Sequence, residues 1–496
     1  MELPSWNLRR IIVLPNYSSP NAIALKEGAT TLTYSELQLA VNGVASWLIE
    51  EKVHRVAIAF DNQIAWVICD LACQHANVCC VPLPLFFSAS QKAHVLRASQ
   101  CECLLTSKNV TNITPVYRTI NSVLGIVAHK LDGSGKVHMP QGTNKITFTS
   151  GSTGSPKGVC LSTESQWKVA RSIHAVFGNT PVHHLCMLPL STLLENIAGV
   201  YAPLIHGGTV ELVSAKARGF EGSKLVNPKA LLCSIDNAQP TSVILVPDLL
   251  IVLLMACQRG WRPPTSLQFI AVGGAHVAPD LLKQAHRYGL PVYEGYGLSE
   301  AVSVSTLNRP EHHFPGTAGP ALGHNQLHIE NGEVVVTGNH FLGYLNQPDS
   351  FYPNKVYTGD LGHIKNGVLT LNGRKKNVMI NSFGRNVSPE WIESLLLATG
   401  LFRHAVVYCE AKPYCIALIC PLSADMTSEQ IMRIIQQVNQ TLPDYAQVLQ
   451  ATIIDPCTTN NGLLTETGKL KRAAVLSRYQ NQISTLYPSQ HIVNGD

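Results

Sequence analysis

A stretch rich in glycine and hydroxyl residues, FTSGSTGSPKGV, occupies positions 148–159 and contains one cation, Lys157. It follows the apolar run KITF, which we interpret as a buried strand. A glycine loop at the end of a strand exposes backbone N–H groups, which can bind a polyphosphate together with hydroxyls and a lysine. We interpret the next residues, VCLSTESQWKVARSI, as a helix. The spacing matches neither GxxxxGK[ST] nor GxGxxG.

Several later stretches carry side chains that could bind other parts of the ligand that contains this polyphosphate. YEGYGLSEA contains Glu300, and a carboxylate is a suitable ligand for Mg²⁺ because this hard ion prefers oxygen donors. The same stretch contains Tyr296, and the resemblance described below implies that its aromatic face packs against adenine. VYTGDLG contains Asp360, which we expect in a turn, where a lone aspartate is more often structural.

Six stretches that follow the glycine loop resemble, in order, the motifs of the adenylate-forming superfamily. That superfamily includes acyl- and aryl-CoA synthetases, nonribosomal-peptide adenylation domains and firefly luciferase. The resemblance extends from TLTYSEL to KLKR, nearly the whole chain. The six stretches are LPLSTLLENIAGV, AVGGAHVAP, YEGYGLSEA, VYTGDLG, NGRKKNVMINSFGRNVSPEWIE and NGLLTETGKLKR.

The resemblance implies a role for each matching residue. Lys469 would bridge the acid carboxylate and the α-phosphate, and Ser299, where relatives usually have Thr, would donate to that phosphate. Asp360 would accept both ribose hydroxyls beside Arg374, and Glu300 would be the Mg²⁺ ligand. The implied nucleotide-binding set is Thr149, Ser150, Gly151, Ser152, Thr153, Gly154, Lys157, Gly274, Ala275, Tyr296, Gly297, Asp360 and Arg374.

The order of apolar runs predicts an α/β fold in two domains, since 496 residues exceed one core. Strand-like and helical runs alternate up to about residue 320, which is the βαβ pattern of a parallel sheet. Asn-Gly turns then indicate a small antiparallel subdomain. We predict a large N-terminal domain of parallel or mixed sheets, residues 1–376, and a small α+β domain, residues 377–496. The resemblance implies that the second domain is mobile, with a hinge at Asn377.

Composition disfavours several other classes of protein. Hydrophobic residues make up 45% and charged residues 14%, which is typical of folded chains, and a net charge of +5 without basic runs disfavours nucleic-acid binding. The N-terminus lacks an h-region, and Pro247 and Asp248 interrupt the longest apolar run. We therefore expect no transmembrane segment and a cytoplasmic protein. The 14 cysteines form no zinc-binding pattern, so we expect buried free thiols.

The resemblance implies ATP, Mg²⁺ and CoA as cofactors and a small-molecule carboxylic acid as substrate, as in fatty acid metabolism. Thr192 stands where relatives often have His, and no aspartate for an amino-acid ammonium is evident. An uncharged acyl or aryl acid is favoured, as for fatty acyl- or aryl-CoA synthetases. Loading onto the phosphopantetheine of an acyl carrier protein and β-lactone formation from a β-hydroxy acid stay open. A non-catalytic nucleotide-binding protein is disfavoured, because Lys157, Glu300, Asp360 and Lys469 are all present.

Overall fold

The computed structural model describes residues 20–107, 118–121, 123–149, 156–275, 277–465 and 468–487. Its first part contains seventeen strands, numbered in chain order: β1 Ile23–Glu27, β2 Thr30–Thr33, β3 Arg55–Ala59, β4 Cys79–Pro82, β5 Cys103–Ser107, β6 Arg118–Asn121, β7 Ile126–Lys130, β8 Lys145–Thr149, β9 Lys157–Leu161, β10 His183–Cys186, β11 Thr209–Leu212, β12 Phe220–Glu221, β13 Lys224–Leu225, β14 Ser242–Leu245, β15 Phe269–Val272, β16 Val292–Leu298 and β17 Ser303–Leu307.

Eight α-helices, one π-helix and one 3₁₀ turn lie between these strands. They are α1 Tyr34–Glu50, α2 Ile64–His75, α3 Ala89–Ser99, α4 Thr163–Phe177, the π-helix Glu195–Tyr201, α5 Ala202–His206, α6 Pro228–Ala238, α7 Pro247–Gln258, α8 Pro279–Arg287 and the 3₁₀ turn Ser299–Ala301.

The middle of the chain forms a five-stranded antiparallel sheet. Its elements and one strand beside them are β18 Gly319–Pro320, β19 Asn325–Glu330, β20 Glu333–Gly338, β21 Gly343–Tyr344, a 3₁₀ turn Pro348–Ser350, β22 Val356–Lys365 and β23 Val368–Arg374. The spatial order is β18-β23-β22-β20-β19. Asn331-Gly332 and Asn366-Gly367 both have positive φ angles, as type I′ hairpin turns require. The predicted antiparallel subdomain is therefore confirmed.

Two larger, mixed sheets complete the first part of the chain. Their spatial orders are β17-β16-β15-β14-β10-β11-β1-β2 and β21-β9-β8-β4-β3-β5-β7-β6, and their central neighbours are parallel. Helices α1, α2 and α4 share one hydrophobic core with both sheets. The alternation of buried strands with amphipathic helices thus produces the α/β architecture that the sequence predicts.

The last part of the chain is a small α+β unit with hydrophobic clusters of its own. Ser388 is the N-cap residue of α9, but its hydroxyl makes no capping bond and instead lies 3.4 Å from a carboxylate oxygen of Glu390. The boundary at Asn377 stays a prediction. The elements are β24 Met379–Ile380, β25 Asn386–Val387, α9 Pro389–Leu397, β26 Phe402–Tyr408, β27 Cys415–Pro421, α10 Ser428–Asn439, a 3₁₀ turn Asp444–Ala446, β28 Val448–Ile453, α11 Arg472–Arg478 and α12 Gln480–Thr485.

The segment after the glycine loop is a strand, so the predicted strand–loop–helix order is wrong. β9 pairs antiparallel with β8, and α4 begins only at Thr163, after its N-cap Ser162. Residues 158–161 are buried between β8 and β21. The sequence could not distinguish a strand from a helix here, because a short apolar run has the same composition in either when it is buried. The loop therefore joins two strands of a hairpin and does not open a helix.

All 14 cysteines are free thiols, and Cys233 is the one exposed member, which confirms the prediction of buried free thiols. Across the described ranges, no helix combines the length and the apolar character that crossing a membrane requires.

Candidate active site

Asp360 is held by two neighbouring side chains. It lies inside β22, so the prediction that it lies in a turn is wrong. The preceding residue, Gly359, has a φ of 73°, and this glycine made the stretch resemble a turn. Arg374 is the cross-strand neighbour of Asp360 on β23, with Nε 2.8 Å from Oδ1, and the Tyr296 hydroxyl donates to Oδ2 at 2.8 Å. Burial raises the pKa of Asp360, and the Arg374 charge opposes that shift.

Tyr296 connects β16 of the first large sheet to the five-stranded sheet. Its ring is buried, and burial together with the Asp360 charge raises the pKa of its phenol, which keeps it a hydrogen-bond donor. Gly297 follows, and a Cβ there would lie 1.6 Å from the Ser303 carbonyl oxygen, so only glycine fits. The proposed packing of adenine against Tyr296 stays a prediction.

The AVGG stretch begins inside β15, and its two glycines follow the carboxyl end of that strand. Gly274 has φ of 85° and is exposed, as is Ala275. β15 and β16 are parallel neighbours, and in open α/β sheets ligands bind outside the carboxyl ends of such strands. Gly274, Ala275 and Gly297 therefore lie at an edge of the sheet that is suited to a nucleotide.

Glu300 is held by a tyrosine that the sequence analysis missed. Its carboxylate Oε1 accepts a hydrogen bond of 2.8 Å from the Tyr344 hydroxyl, and its backbone carbonyl accepts one from the Phe341 N–H. The Lys157 ammonium lies 5.4 Å from the centre of the Tyr344 ring. Ser299 begins the same 3₁₀ turn and is half-buried. A carboxylate with hard oxygen donors in this position fits Mg²⁺.

The two ends of the glycine loop face each other. Thr149 and Lys157 are cross-strand partners at the loop end of the β8–β9 hairpin, and Lys157 is exposed. The five residues predicted to bind phosphate between them lie outside the described residues, and their role stays a prediction: Ser150, Gly151, Ser152, Thr153 and Gly154.

Lys469 comes from the last part of the chain and lies within electrostatic reach of Arg374. The surrounding protein lowers the pKa of its ammonium, although the residue as a whole is exposed, and the Arg374 charge lowers that pKa further. The Lys469 carbonyl accepts a 2.7 Å bond from the Thr465 N–H, and the Lys469 N–H donates to the Thr465 hydroxyl. The Lys469 ammonium is therefore close enough to Arg374, one member of the predicted ribose-binding pair, for the two charges to interact.

Glu195, in the LPLSTLLENIAGV stretch, is a fully buried structural carboxylate. One oxygen lies 2.9 Å from His184 Nε2, and the other accepts the Leu188 N–H at 2.9 Å. His184, Cys186 and Glu195 form a group of metal-ligand type, but both carboxylate oxygens already have hydrogen-bond partners. Thr192 donates its hydroxyl to the Pro189 carbonyl at 2.7 Å, so it closes a turn.

Two family models cover most of the chain. The AMP-binding enzyme model matches residues 16–345, and the AMP-binding enzyme C-terminal domain matches residues 376–491. The chain therefore belongs to the AMP-binding enzymes, which are the adenylate-forming superfamily that its motifs resemble. The predictions of this superfamily and of an enzyme are confirmed.

Curated relatives are CoA ligases for different acids. The 2-succinylbenzoate–CoA ligase of Bacillus subtilis is 27% identical over 80% of this chain and 83% of its own length. A feruloyl-CoA synthase of an Amycolatopsis species is 27% identical over 79% and 82%. The long-chain-fatty-acid–CoA ligase FadD15 of Mycobacterium bovis is 26% identical over 92% of both chains.

Solved structures share the same fold. The O-succinylbenzoate coenzyme A synthetase MenE of Bacillus subtilis in complex with AMP has a TM-score of 0.73 and 25% identity, over 92% of this chain and 95% of that one. The anthranilate CoA ligase AuaEII in complex with anthranoyl-AMP has a TM-score of 0.78 at 17% identity, over 94% and 95%, which shows the fold alone.

Proposed function

We propose that this protein is an acid–thiol ligase that forms an acyl-CoA from a carboxylic acid, ATP and CoA. In the first step an oxygen of the acid carboxylate would attack the α-phosphorus of ATP, and diphosphate would leave. In the second step the CoA thiol would lose its proton and attack the acyl carbonyl, and AMP would leave. The observation that carries this proposal is the grouping of Asp360, Tyr296 and Arg374 with Lys469 from the other end of the chain.

Asp360 is suited to bind the ribose because its orientation is already defined. Arg374 and Tyr296 each occupy one lone pair on different carboxylate oxygens. Each oxygen has a second lone pair, so the carboxylate can accept two hydroxyls without moving. We assign the two ribose hydroxyls to these positions.

Lys469 is suited to stabilise the charge that develops during adenylation. A lysine ammonium is a compact cation with three donors, and it can bridge a carboxylate and a phosphate oxygen. Ser299 would donate to the same phosphate. Glu300 would hold Mg²⁺, and the bound ion would supply positive charge that neutralises the phosphates. Thr149, Lys157 and the loop between them would hold the β- and γ-phosphates.

The hinge at Asn377 belongs to the same proposal. Asn377 lies three residues after Arg374, the last residue of β23. Its side-chain amide donates to the carboxylate of Glu390, at the start of α9. Rotation about this position would remove Lys469 from the site after adenylation and would let the thiol approach. A cytoplasmic location also stays a prediction.

The acid is proposed as an uncharged aryl or fatty acyl acid, in keeping with the feruloyl-CoA synthase and the long-chain-fatty-acid–CoA ligase among the named relatives. Diphosphate release should be measured on 2-succinylbenzoate, ferulate, octanoate and palmitate, with CoA, with a phosphopantetheinyl carrier protein and with neither. The proposal expects thioester formation with CoA and none in the Asp360→Ala variant. Turnover that needs the carrier protein would favour the loading reaction. A β-lactone from a β-hydroxy acid without any thiol would favour the third reaction.

A further inference from the structure

We propose that Tyr344 is a positioning residue for Mg·ATP, because its hydroxyl holds the Glu300 carboxylate in one orientation. This inference rests on the proposed function, in which Glu300 is the metal ligand. The motif comparison did not single out Tyr344, which lies 44 positions beyond Glu300 in the chain.

One tyrosine side chain contacts both charged groups. Its hydroxyl donates to Glu300 Oε1 at 2.8 Å, while the Lys157 ammonium lies over the ring face, 5.4 Å from its centre. The cation lies over the ring, and the anion lies at its hydroxyl end.

The segment that carries Tyr344 is itself held in place. Tyr344 pairs with Val159 of β9, two residues beyond Lys157, and its N–H donates to the Ser350 hydroxyl at 2.8 Å. The Phe341 ring packs edge-on against the Tyr344 ring at 4.9 Å, and the Phe341 N–H donates to the backbone carbonyl of Glu300. Phe341 therefore contacts both the Tyr344 ring and the Glu300 backbone, and it helps to fix the phenol and the Glu300 carboxylate relative to each other.

This arrangement should preorganise a cation site. Because the phenol holds Oε1, the Glu300 side chain is already in one rotamer, and Oε2 can bind a hard cation without a change of rotamer. Without the hydroxyl, the Glu300 carboxylate is free to turn toward the nearby Lys157 ammonium. That ion pair would neutralise the ligand and would withdraw the lysine from the phosphates.

The chain contains a control trio of the same three residue types at the surface, in which the Lys355 ammonium also pairs directly with Glu330 at 2.7 Å. The Tyr357 hydroxyl donates to Glu330 Oε2 at 2.8 Å, and the Lys355 ammonium lies 4.9 Å from the centre of the Tyr357 ring. This trio lies on β19 and β22 and on the segment before β22, and Tyr357 is exposed. Tyr357→Phe therefore removes an equivalent hydroxyl away from the site.

The test is calorimetric binding of ATP to the full chain, once with excess Mg²⁺ and once with EDTA. Tyr344→Phe should weaken Mg·ATP binding about tenfold, the scale of one hydrogen bond to a charged group, and leave binding in EDTA within about twofold. Tyr357→Phe should match the wild type in both conditions. Equal melting temperatures without nucleotide would show that Tyr344→Phe retains the fold.

Two results would overturn the assignment of Tyr344. One is unchanged Mg·ATP affinity in Tyr344→Phe, and the other is an equal loss of affinity with and without Mg²⁺. Glu300→Gln separates this failure from that of the proposed function. If Mg²⁺ still strengthens ATP binding to Glu300→Gln as in the wild type, the metal role of Glu300 is wrong, and the role of Tyr344 falls with it.

Discussion

The Arg374 guanidinium and the Asp360 carboxylate face each other across β23 and β22, with 2.8 Å between Nε and Oδ1. Asp360 is buried, while the Arg374 side chain is 49% exposed. Arg374 is the last residue of β23, three positions before Asn377. The residue that orients the proposed ribose ligand therefore lies next to the predicted hinge, and its charge also acts on Lys469.

Replacing Asp360 should weaken nucleotide binding strongly. In Asp360→Asn the ribose hydroxyls would lose a charged acceptor and Arg374 its partner, so we expect an ATP affinity about 10- to 100-fold lower. Calorimetric titration with ATP measures this. Asp280→Asn removes an exposed pair with Lys283 and should leave the affinity unchanged. Wild-type affinity in Asp360→Asn would rule out the ribose role.

Replacing Lys469 should separate the two half-reactions. Lys469→Ala should slow acid-dependent diphosphate release by about 100-fold or more, because a transition-state charge contact is lost. Thioester formation from supplied acyl-adenylate and CoA should be largely retained. Lys471→Ala, two residues away, serves as the control and should behave as the wild type. Near-normal adenylation in Lys469→Ala would show that another residue performs this step.

The charge of Lys469 should limit adenylation at alkaline pH. Burial and the Arg374 charge lower the pKa of Lys469, so the required ammonium form is lost as pH rises, below the usual range of lysine. The alkaline limb of the pH profile of kcat/KM for diphosphate release should therefore begin at a pH below the usual pKa range of lysine. In Arg374→Gln, the limb should move to higher pH. A limb that stays in place would mean that a different group titrates.

Removing one member of a buried charge pair should lower stability strongly. The Lys145 ammonium lies 2.8 Å from Asp70 Oδ1, both side chains are 1% exposed, and the Tyr201 hydroxyl is bonded to both. Lys145→Met leaves Asp70 as an unpaired buried charge and should lower the free energy of unfolding by about 3–5 kcal/mol. Denaturant unfolding measures the change.

The exposed pair of Lys283 and Asp280 provides the reference for that measurement. Lys283→Met should change the free energy of unfolding by no more than about 1 kcal/mol, since solvent screens such pairs. The double variant Lys145→Met with Asp70→Leu should recover part of the lost stability, because it removes both charges. A double variant as unstable as the sum of both single changes would argue against charge pairing as the cause.

Local sequence determined the elements and their caps. Thr33 and Glu36 form the capping box of α1, and both Asn-Gly pairs form the predicted turns. These features depend on residues within three or four positions of each other, so their chemistry can be read from the sequence. The order of the motifs along the chain likewise indicated the superfamily, because each motif is a short run of neighbouring residues.

Tertiary structure alone decided which side chains meet. Tyr296 contacts Asp360 across 64 positions, and Tyr344 contacts Glu300 across 44. The sequence could not predict β9 either, since burial between β8 and β21 makes that short apolar run a strand. Contacts of this kind depend on how sheets pack and which strands become neighbours, and no local pattern encodes them. The sequence by itself therefore determined the family and the candidate residues, and packing decided how those residues are held.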